Sequence, residues 1–561
     1  MATWVLQGRP PRGDWSTPQR IDDPDLIRPY LEDAAHFPGG VAAALYTPLT
    51  EREVASILQS NRAVLPIGAQ SSLTGGATPV GGALLSMRRF NRVGPVGSDR
   101  VAVGAGVTLT QLDEVLAAAG SYYPPGPTFT GAFVGGTVAT NASGAATFKY
   151  GSTRDWVQAL TVVLAGGDVL DIERGVTRAH PDGYFELELP TRILRVPVPS
   201  YRMPAVRKLS AGYFAEPEMD LIDLFIGSEG TLGVITDVTV RVLPVRPSFC
   251  LAFVPFARRE AGLSFVRQVR NVSLDTRRTG NPRALDASAI EHIDARCVAL
   301  VREDGVDTRL GVTLPRDTEI ALLVTIELPP GVTPTQAFDE LGAGEASPSR
   351  TPLAELATLL ARHTEIDRVQ LALPGQQSRA QQLLAVREAV PLAVNQRVGA
   401  AQRTIDQRIE KVAADAVVPF DRFEEFERCC AEQFARRGLD VAVWGHISDG
   451  NTHPNLIPRS FEDVGLGRQA VLAASREAIR LGGAPLAEHG VGRNRVKQQL
   501  VVDLYGEPGV DDMRRVKSAL DPDWKLAPGV LFDQARPLRE EHSGTDGGKT
   551  ADDEPWRGRG Q

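Results

Sequence analysis

Hydrophobic residues recur along the chain at spacings that predict short helices and strands in its first half. Between residues 51 and 61, Val54, Ile57 and Leu58 lie at the i, i+3, i+4 spacing that places them on one face of a helix. Residues 160–170 form two apolar runs around a Gly-Gly-Asp turn, which predicts a β-hairpin. Such strands and helices alternate with glycine clusters, and the second half of the chain contains longer elements.

Length and changes in composition predict two folded domains with an extension at each end. A chain of 561 residues is too long for one ordinary hydrophobic core. The end of the chain is rich in Ser, Gly, Asp, Lys and Arg and has almost nothing to bury. The predicted division is an N-terminal arm at residues 1–37, a first domain at residues 38–245, a second domain at residues 246–536 and a disordered tail at residues 537–561.

Charge and cysteine content exclude several classes of protein. The formal net charge of −8 lacks the basic footprint that nucleic-acid binding requires. No apolar run approaches the ~18 residues of a transmembrane helix, and the first residues do not resemble a signal peptide. The four cysteines show no CxxC spacing and are expected to be reduced. We therefore expect a cytoplasmic protein, with a peripheral position at the inner face of a membrane as the alternative.

Two glycine-rich loops in the first domain predict a site for a pyrophosphate group. The loop at residues 68–76 follows a short predicted strand at residues 63–67, and a second such loop lies at residues 131–144. Glycines let the backbone approach a ligand closely, and successive N–H groups can then bind phosphate oxygens. Either loop alone is more simply read as a turn, but two together favour a dinucleotide.

A Rossmann nicotinamide site is the obvious rival and is rejected. Gly104 and Gly106 begin a strand-to-helix glycine motif, but Leu109 stands where the third glycine belongs.

Three of the eight histidines of the chain fall in two short segments of the second domain. His446 and His453 flank a Ser-Asp-Gly-Asn turn that follows a strand-like run, and Glu488 and His489 are adjacent in a second segment. Two imidazoles and one carboxylate suit a divalent metal with an open coordination position, which leaves His489 as a free base. Histidines near turns are also often structural, and the His-x6-His spacing alone is a weak indication.

Five ordered motifs in these regions resemble the vanillyl-alcohol-oxidase (PCMH-type) superfamily of FAD-linked oxidases. The branch they resemble contains D-lactate dehydrogenase, D-2-hydroxyglutarate dehydrogenase and the FAD subunit of glycolate oxidase. The motifs are PIGAQSSLTGG at residues 66–76, PPGP at 124–127, GGTVATNASG at 135–144, YG at 150–151 and GSEGTLG at 227–233; GHISDGNTHPN at 445–455 with EHG at 488–490 indicates the branch.

The resemblance implies an α+β fold in which a PCMH-type FAD-binding domain of two α+β subdomains precedes an FAD-linked oxidase C-terminal domain. The second domain is expected to be an antiparallel sheet with helices on one face. The FAD is expected to be non-covalent, because His36 and His180 lie outside the flavin motifs. The residues carried over as cofactor-binding are Pro66, Gly68, Ala69, Gln70, Ser71, Ser72, Pro125, Gly135, Gly136, Thr140, Asn141, Gly144, Tyr150, Gly151, Glu229, Gly230 and Ile235.

The resemblance also implies the chemistry. It makes His446, His453 and Glu488 the ligands of a divalent metal, with zinc as the first choice and manganese or iron as alternatives. His489 becomes the acid/base and Arg387 binds the substrate carboxylate, while Asn455 contacts the substrate or a metal ligand. The implied reaction oxidises a D-2-hydroxy acid such as D-lactate to the 2-oxo acid, with hydride transfer to flavin N5.

Departures from the family pattern bear on the substrate. Ala413 stands where dicarboxylate-specific members have a lysine, and Pro391 stands where they have a hydroxyl residue. Smaller departures are Gly126, Ser448 and Ala527. These differences predict a monocarboxylate rather than 2-hydroxyglutarate.

Other expectations concern partners and alternative functions. The expected partners are the 2-hydroxy acid and an electron acceptor, which is a quinone, a cytochrome or an electron-transfer flavoprotein; a homodimer is compatible with the family. Two alternatives stay open: a non-redox flavin transferase similar to alkyl-dihydroxyacetone-phosphate synthase, and a non-catalytic FAD subunit of an oxidase complex. The Pro-rich basic segment at residues 197–208 either covers the substrate mouth or is an ordinary surface loop.

Overall fold

The computed structural model describes residues 3–14, 16–127, 129–343 and 351–534. The predicted disordered tail at residues 537–561 therefore lies outside the described residues. Among the described helices, none is both long enough and apolar enough to span a lipid bilayer.

The described strands and helices alternate along the whole chain. The strands are β1 (Val5–Gln7), β2 (Arg20–Ile21), β3 (Ala44–Tyr46), β4 (Val64–Ile67), β5 (Ala83–Ser86), β6 (Arg100–Gly104), β7 (Ser121–Tyr122), β8 (Val157–Val163), β9 (Val169–Glu173), β10 (Tyr184–Leu189), β11 (Arg192–Pro197), β12 (Val234–Arg241), β13 (Leu243–Pro244), β14 (Ser248–Phe256), β15 (Asp286–Asp294), β16 (Ile320–Leu328), β17 (Gln370–Ala372), β18 (Ala416–Val417), β19 (Val441–Gly445) and β20 (Asn451–Leu456). The helices are α1 (Pro24–Ile27), α2 (Glu51–Ser60), α3 (Leu109–Ala118), α4 (Val134–Ala139), α5 (Thr147–Tyr150), α6 (Leu221–Phe225), α7 (Arg259–Thr279), α8 (Ala295–Glu303), α9 (Val306–Leu310), α10 (Pro334–Ala343), α11 (Pro352–His363), α12 (Gln377–Thr404), α13 (Phe423–Ala435), α14 (Phe461–Arg480) and α15 (Arg495–Leu520).

Local sequence explains the predicted elements of the first half. Helix α2 begins after Thr50, whose side chain accepts a hydrogen bond from the Glu53 N–H, and it buries Val54, Ile57 and Leu58 as predicted. Strands β8 and β9 pair antiparallel around the Gly-Gly-Asp turn, so the predicted hairpin is confirmed.

Two four-stranded sheets form the centre of the first half. One has the order β2-β3-β5-β4, in which β3, β5 and β4 are parallel, and the other is antiparallel with the order β6-β12-β8-β9. The N-terminal residues join this unit, because β1 pairs with β10 and β2 pairs with β3. An added Cβ at Gly104 or Gly106 would meet the carbonyl oxygen of Phe90 or Met87. These two glycines therefore serve close chain packing, in agreement with the rejection of a Rossmann site.

The second half is built on a seven-stranded antiparallel sheet with the order β17-β14-β16-β15-β19-β20-β18. The expectation of helices on one face is wrong, because helices cover both faces. Alternate residues of β14 separate into two cores: Leu251 and Phe253 pack with α8 and α12, whereas Ala252 and Val254 pack with α7 and α11.

The last described segment returns to the first half of the molecule. Buried residues between 486 and 532 share a hydrophobic core with the sheets of the first half. The Val64 N–H donates to Lys525 O, and the Ala527 N–H donates back to Val64 O. This return brings Glu488 and His489 to the boundary between the two halves.

Candidate active site

A cavity of about 590 Å³ lies between the two predicted glycine-rich loops. Its volume is within the usual range for cofactor sites. Thirteen of the predicted cofactor-binding residues line it, together with Glu488 and His489 at one end; the thirteen are Pro66, Gly68, Ala69, Gln70, Ser71, Ser72, Gly135, Gly136, Thr140, Gly144, Glu229, Gly230 and Ile235.

The glycines of the second loop have two different roles. A Cβ added at Gly136 meets nothing within 4 Å, so the backbone there faces open cavity. A Cβ added at Gly135 would lie 2.5 Å from the Ala105 Cβ, so that glycine is required for packing against Ala105, the residue that follows β6. The backbone at Gly136 can therefore approach a bound dinucleotide closely, which fits FAD.

Four predicted cofactor-binding residues, Pro125, Asn141, Tyr150 and Gly151, do not line this cavity. The Tyr150 hydroxyl instead donates to the Glu327 carboxylate on β16. The Asn141 side chain donates to Leu209 O, and its oxygen accepts from the Arg154 N–H. The Tyr150 side chain thus links the first half of the chain to β16, and the Asn141 side chain links residues 154 and 209.

Glu229 lines the cavity but uses its carboxylate to bind the chain that follows His489. Its two oxygens accept from the N–H groups of Val491 and Gly492 at 2.8 and 2.9 Å. Burial raises the pKa of Glu229 to about 7 against the opposing effect of these two hydrogen bonds.

The turn between β19 and β20 brings the two predicted metal-binding histidines together. Strand β19 ends at Gly445, and Gly450 (φ 77°) lets the chain reverse so that His453 pairs with Trp444. The His446 and His453 rings are 5.6 Å apart at an angle of 84°. Both side chains are buried.

Glu488 completes a set of three possible metal ligands. The His446 Nε2 lies 3.4 Å from Glu488 Oε1, and the His453 Nε2 lies 3.8 Å from Glu488 Oε2. One ligand atom from each residue falls within 4.8 Å of the others. This donor set of two imidazole nitrogens and one carboxylate fits zinc, or another divalent metal that accepts nitrogen and oxygen ligands.

Two carboxylates lie beside the opposite ring nitrogens of the histidines. The His446 Nδ1 is 3.2 Å from Glu291 Oε1, and the His453 Nδ1 is 3.3 Å from Asp415 Oδ1. Burial alone would raise the pKa of Glu291, but Arg387 and His446 outweigh it and lower the pKa to about 2. A carboxylate that accepts a hydrogen bond from Nδ1 fixes the tautomer that leaves Nε2 free for a metal, and Glu291 and Asp415 are near enough to do so.

His489 lies beside the cluster and faces the cavity. Its Nδ1 is 3.1 Å from Asp415 Oδ2, and its ring is 5.2 Å from the His453 ring. Burial lowers the pKa of His489 to about 4, although Asp415 opposes the shift. The imidazole is therefore neutral near pH 7 and able to accept a proton.

Arg387 and Asn455 lie behind the metal-binding histidines rather than in the cavity wall. The Arg387 guanidinium is 3.4 Å from Glu291 Oε1, on the carboxylate that contacts His446. Asn455 is buried on β20 and donates to His453 O, and its Oδ1 has no hydrogen-bond partner among the described residues. Ala413, the position of the missing lysine, pairs with Asn455.

Three residues of this site had no predicted role. Glu291 lies on β15, and Asp415 precedes β18; the sequence offers no local pattern for either. Lys208 ends the Pro-rich segment at residues 197–208, and its buried Nζ lies 2.5 Å from Glu488 Oε1. This part of the segment is thus inside the protein and is not a surface loop.

Comparison with known proteins supports the two-domain organisation. Residues 42–173 match an FAD binding domain, and residues 255–531 match the C-terminal domain of FAD linked oxidases. A D-lactate dehydrogenase of Archaeoglobus fulgidus is 29% identical over 492 residues, covering 86% of this chain and 90% of that protein. The mitochondrial D-2-hydroxyglutarate dehydrogenase of Bos taurus is 29% identical over 517 residues, covering 91% and 80% respectively.

An FAD-linked oxidoreductase of Mycobacterium tuberculosis is 30% identical over 494 residues, covering 86% of this chain and 90% of that protein. A solved structure of alkyldihydroxyacetonephosphate synthase superposes with a TM-score of 0.55 at 14% identity, covering 93% of this chain and 89% of that one, which shows a common fold. The resemblance found in the sequence is confirmed: the chain belongs to the family of FAD-linked oxidases and is an FAD-dependent oxidoreductase.

Proposed function

We propose that the protein oxidises a D-2-hydroxy acid of the D-lactate type to the 2-oxo acid, with FAD and a divalent metal. The observation that carries this proposal is the cluster of His446, His453 and Glu488 beside His489, at the end of the flavin cavity. The names of relatives, D-lactate dehydrogenase and D-2-hydroxyglutarate dehydrogenase, support the same substrate class.

Each residue has a defined task in this reaction. When bound, FAD supplies two-electron redox chemistry and the metal supplies Lewis acidity that lowers the pKa of a coordinated hydroxyl. His489 removes the hydroxyl proton through Nε2, because Asp415 holds its Nδ1. Asp415 then stabilises the imidazolium that forms.

The carboxylate of the substrate requires a cation and a hydrogen-bonding partner. Arg387 supplies the cation, and its position next to Glu291 places it one side chain away from His446. Asn455 is the second candidate contact with the substrate: its Nδ2 donates to His453 O, and its Oδ1, which has no partner among the described residues, can accept a hydrogen bond from the substrate hydroxyl. With Ala413 in place of a lysine, the proposed substrate has one carboxylate.

Anaerobic flavin reduction tests this function directly. The protein is mixed under nitrogen with D-lactate, L-lactate, glycolate or D-2-hydroxyglutarate, and the flavin absorbance is followed, with chelator-treated protein as the matched control. We expect D-lactate to bleach the flavin of the metal-loaded protein fastest. No bleaching by any of these acids would refute the proposal and would leave the flavin transferase and the non-catalytic subunit as the remaining functions.

A further inference from the structure

Lys208 is a fully buried cation that none of the proposed chemical steps uses. Its Nζ lies 2.5 Å from Glu488 Oε1 and 3.2 Å from Asp449 Oδ2, and its side chain has no solvent exposure. It belongs to the FAD-binding half of the chain, whereas Glu488 is a ligand candidate of the metal cluster. A buried lysine is costly unless it is paired, so these contacts define its position.

The residues after Lys208 run along the segment that carries Glu488. The Ser210 N–H donates to Leu486 O, and the Gly490 N–H donates to Ser210 Oγ at 3.1 Å. Val206 and Leu209 pack against the small apolar cluster that includes Ala487. Residues before and after Lys208 are thus both in contact with the segment that carries Glu488.

The geometry at Glu488 gives its two oxygens different partners. Oε1 is bound by Lys208 and also lies 3.4 Å from the His446 Nε2, while Oε2 is directed toward the His453 Nε2 at 3.8 Å. The lysine therefore fixes the rotation of the carboxylate group about its last bond. Without it, that torsion is broad and roughly two-fold.

We propose that Lys208 is a positioning residue of the metal site, through which the FAD-binding half sets the orientation of Glu488. This inference rests on the proposed function, because it assumes the metal. It assigns to the Pro-rich segment at residues 197–208 a structural part in the metal centre.

The direction of the change in metal affinity when Lys208 is removed distinguishes an orienting role from a purely electrostatic effect. A cation only a few ångströms from the cluster repels a metal ion. If Lys208 acts only through its charge, removing that charge strengthens metal binding. If Lys208 orients Glu488, removing it weakens metal binding despite the electrostatic gain, by the roughly 10- to 100-fold typical of residues that orient metal ligands.

The experiment compares Lys208→Met with Arg207→Met in FAD-loaded protein. Both variants lose one positive charge, but Arg207 is exposed and has no described contact with Glu488. The zinc dissociation constant is measured by competition with a chelator, and the FAD content is measured on the same samples. We expect a 10- to 100-fold weaker zinc affinity in Lys208→Met, no more than a threefold change in Arg207→Met, and full FAD content in both, because Lys208 does not line the cavity.

Unchanged or tighter zinc binding by Lys208→Met overturns the proposal. If that variant does not fold with FAD, Lys208→Gln decides, because its side chain stays polar beside Asp449 but loses the charge and is one bond shorter, which withdraws the donor from Glu488. Weaker zinc binding in Lys208→Gln supports the proposal, and unchanged or tighter binding overturns it. Failure of the unaltered protein to bind zinc, manganese or iron is a different result, since it overturns the proposed metal dependence itself.

Discussion

Replacing Asp415 by Asn tests the hydrogen-bond network that orients both the metal-binding and the proton-accepting histidine. Asp415 Oδ2 accepts from the N–H groups of Glu488 and His489 at 2.8 and 2.9 Å, and it lies 3.1 Å from the His489 Nδ1. Oδ1 accepts from Asn451 at 3.2 Å and lies 3.3 Å from the His453 Nδ1. An amide has only one oxygen, so one of these two sets must face an N–H₂ donor.

The number of lost bonds decides which way the new amide turns. Placing the nitrogen at the Oδ2 position removes the acceptor of two backbone N–H groups, each costing about 1–3 kcal/mol. Placing it at the Oδ1 position removes one bond from Asn451, which keeps its bond to Ala416 O. The second orientation is therefore favoured. The amide N–H₂ then faces the His453 Nδ1, which must become an acceptor.

The consequence is a change of tautomer at His453. A neutral imidazole that accepts at Nδ1 carries its proton on Nε2, the atom that faces Glu488. That nitrogen can no longer ligate a metal. We expect metal affinity to fall at least 10- to 100-fold. At His489 the amide oxygen keeps the same tautomer, and turnover falls further because the negative charge that stabilises the imidazolium is lost.

The assay combines metal analysis after dialysis, FAD content and anaerobic flavin reduction by D-lactate. Asp294→Asn is the matched control, because Asp294 is a half-buried carboxylate that also accepts two backbone N–H bonds and has no described contact with His446, His453 or His489. We expect Asp415→Asn to lose metal and activity while keeping FAD. An Asp415→Asn protein with full metal content and a flavin-reduction rate within threefold of the original would show that this reasoning is wrong.

Three further changes have definite expected outcomes. His489→Ala should keep metal and FAD but lower the rate of flavin reduction about 10²–10⁴-fold, because it removes the proposed proton acceptor; stopped-flow measurement with a near-normal rate would contradict that role. Gly136→Leu should fold but bind little FAD, because its side chain enters the open cavity; flavin absorbance after gel filtration measures this. Acid treatment of the original protein should release its flavin, and flavin retained on the denatured chain would disprove non-covalent binding. Ala413→Lys should raise kcat/KM for D-2-hydroxyglutarate about 10- to 150-fold, the equivalent of about 1.5–3 kcal/mol for a charge-assisted hydrogen bond. Equal turnover of D-lactate and D-2-hydroxyglutarate by the unaltered protein would refute the predicted preference for a monocarboxylate.

Local patterns in the sequence predicted local structure well. The apolar face of α2, the hairpin at residues 160–170 and the strand before His446 follow from periodicity and turn composition, which depend on neighbouring residues. Most of the predicted cofactor-binding residues line one cavity for the same reason, since the loops that form it are continuous segments.

Contacts between distant segments could not be read in this way. Lys208 and Glu488 are 280 residues apart, and the Tyr150 hydroxyl and Glu327 are 177 residues apart. No periodicity relates such pairs. The sequence does carry a signal for the helices on both faces of the large sheet: β14 is an almost continuous apolar run, a pattern typical of a strand buried on both sides.

The return of residues 486–532 to the first half has a consequence for the order of events during synthesis. Arg493 donates to Gly75 O, 418 residues earlier, and Lys525 donates to Leu58 O, 467 residues earlier. A nascent chain cannot close this core until almost all of it has left the ribosome, although domains usually fold in order from the N-terminus. Until then, the edge of β4 that later pairs with Leu526 has no partner. Closing contacts between such distant segments is intrinsically slow. Until the last segment arrives, the hydrophobic surface that it covers stays exposed in the nascent protein, and exposed surface of this kind is what chaperones bind.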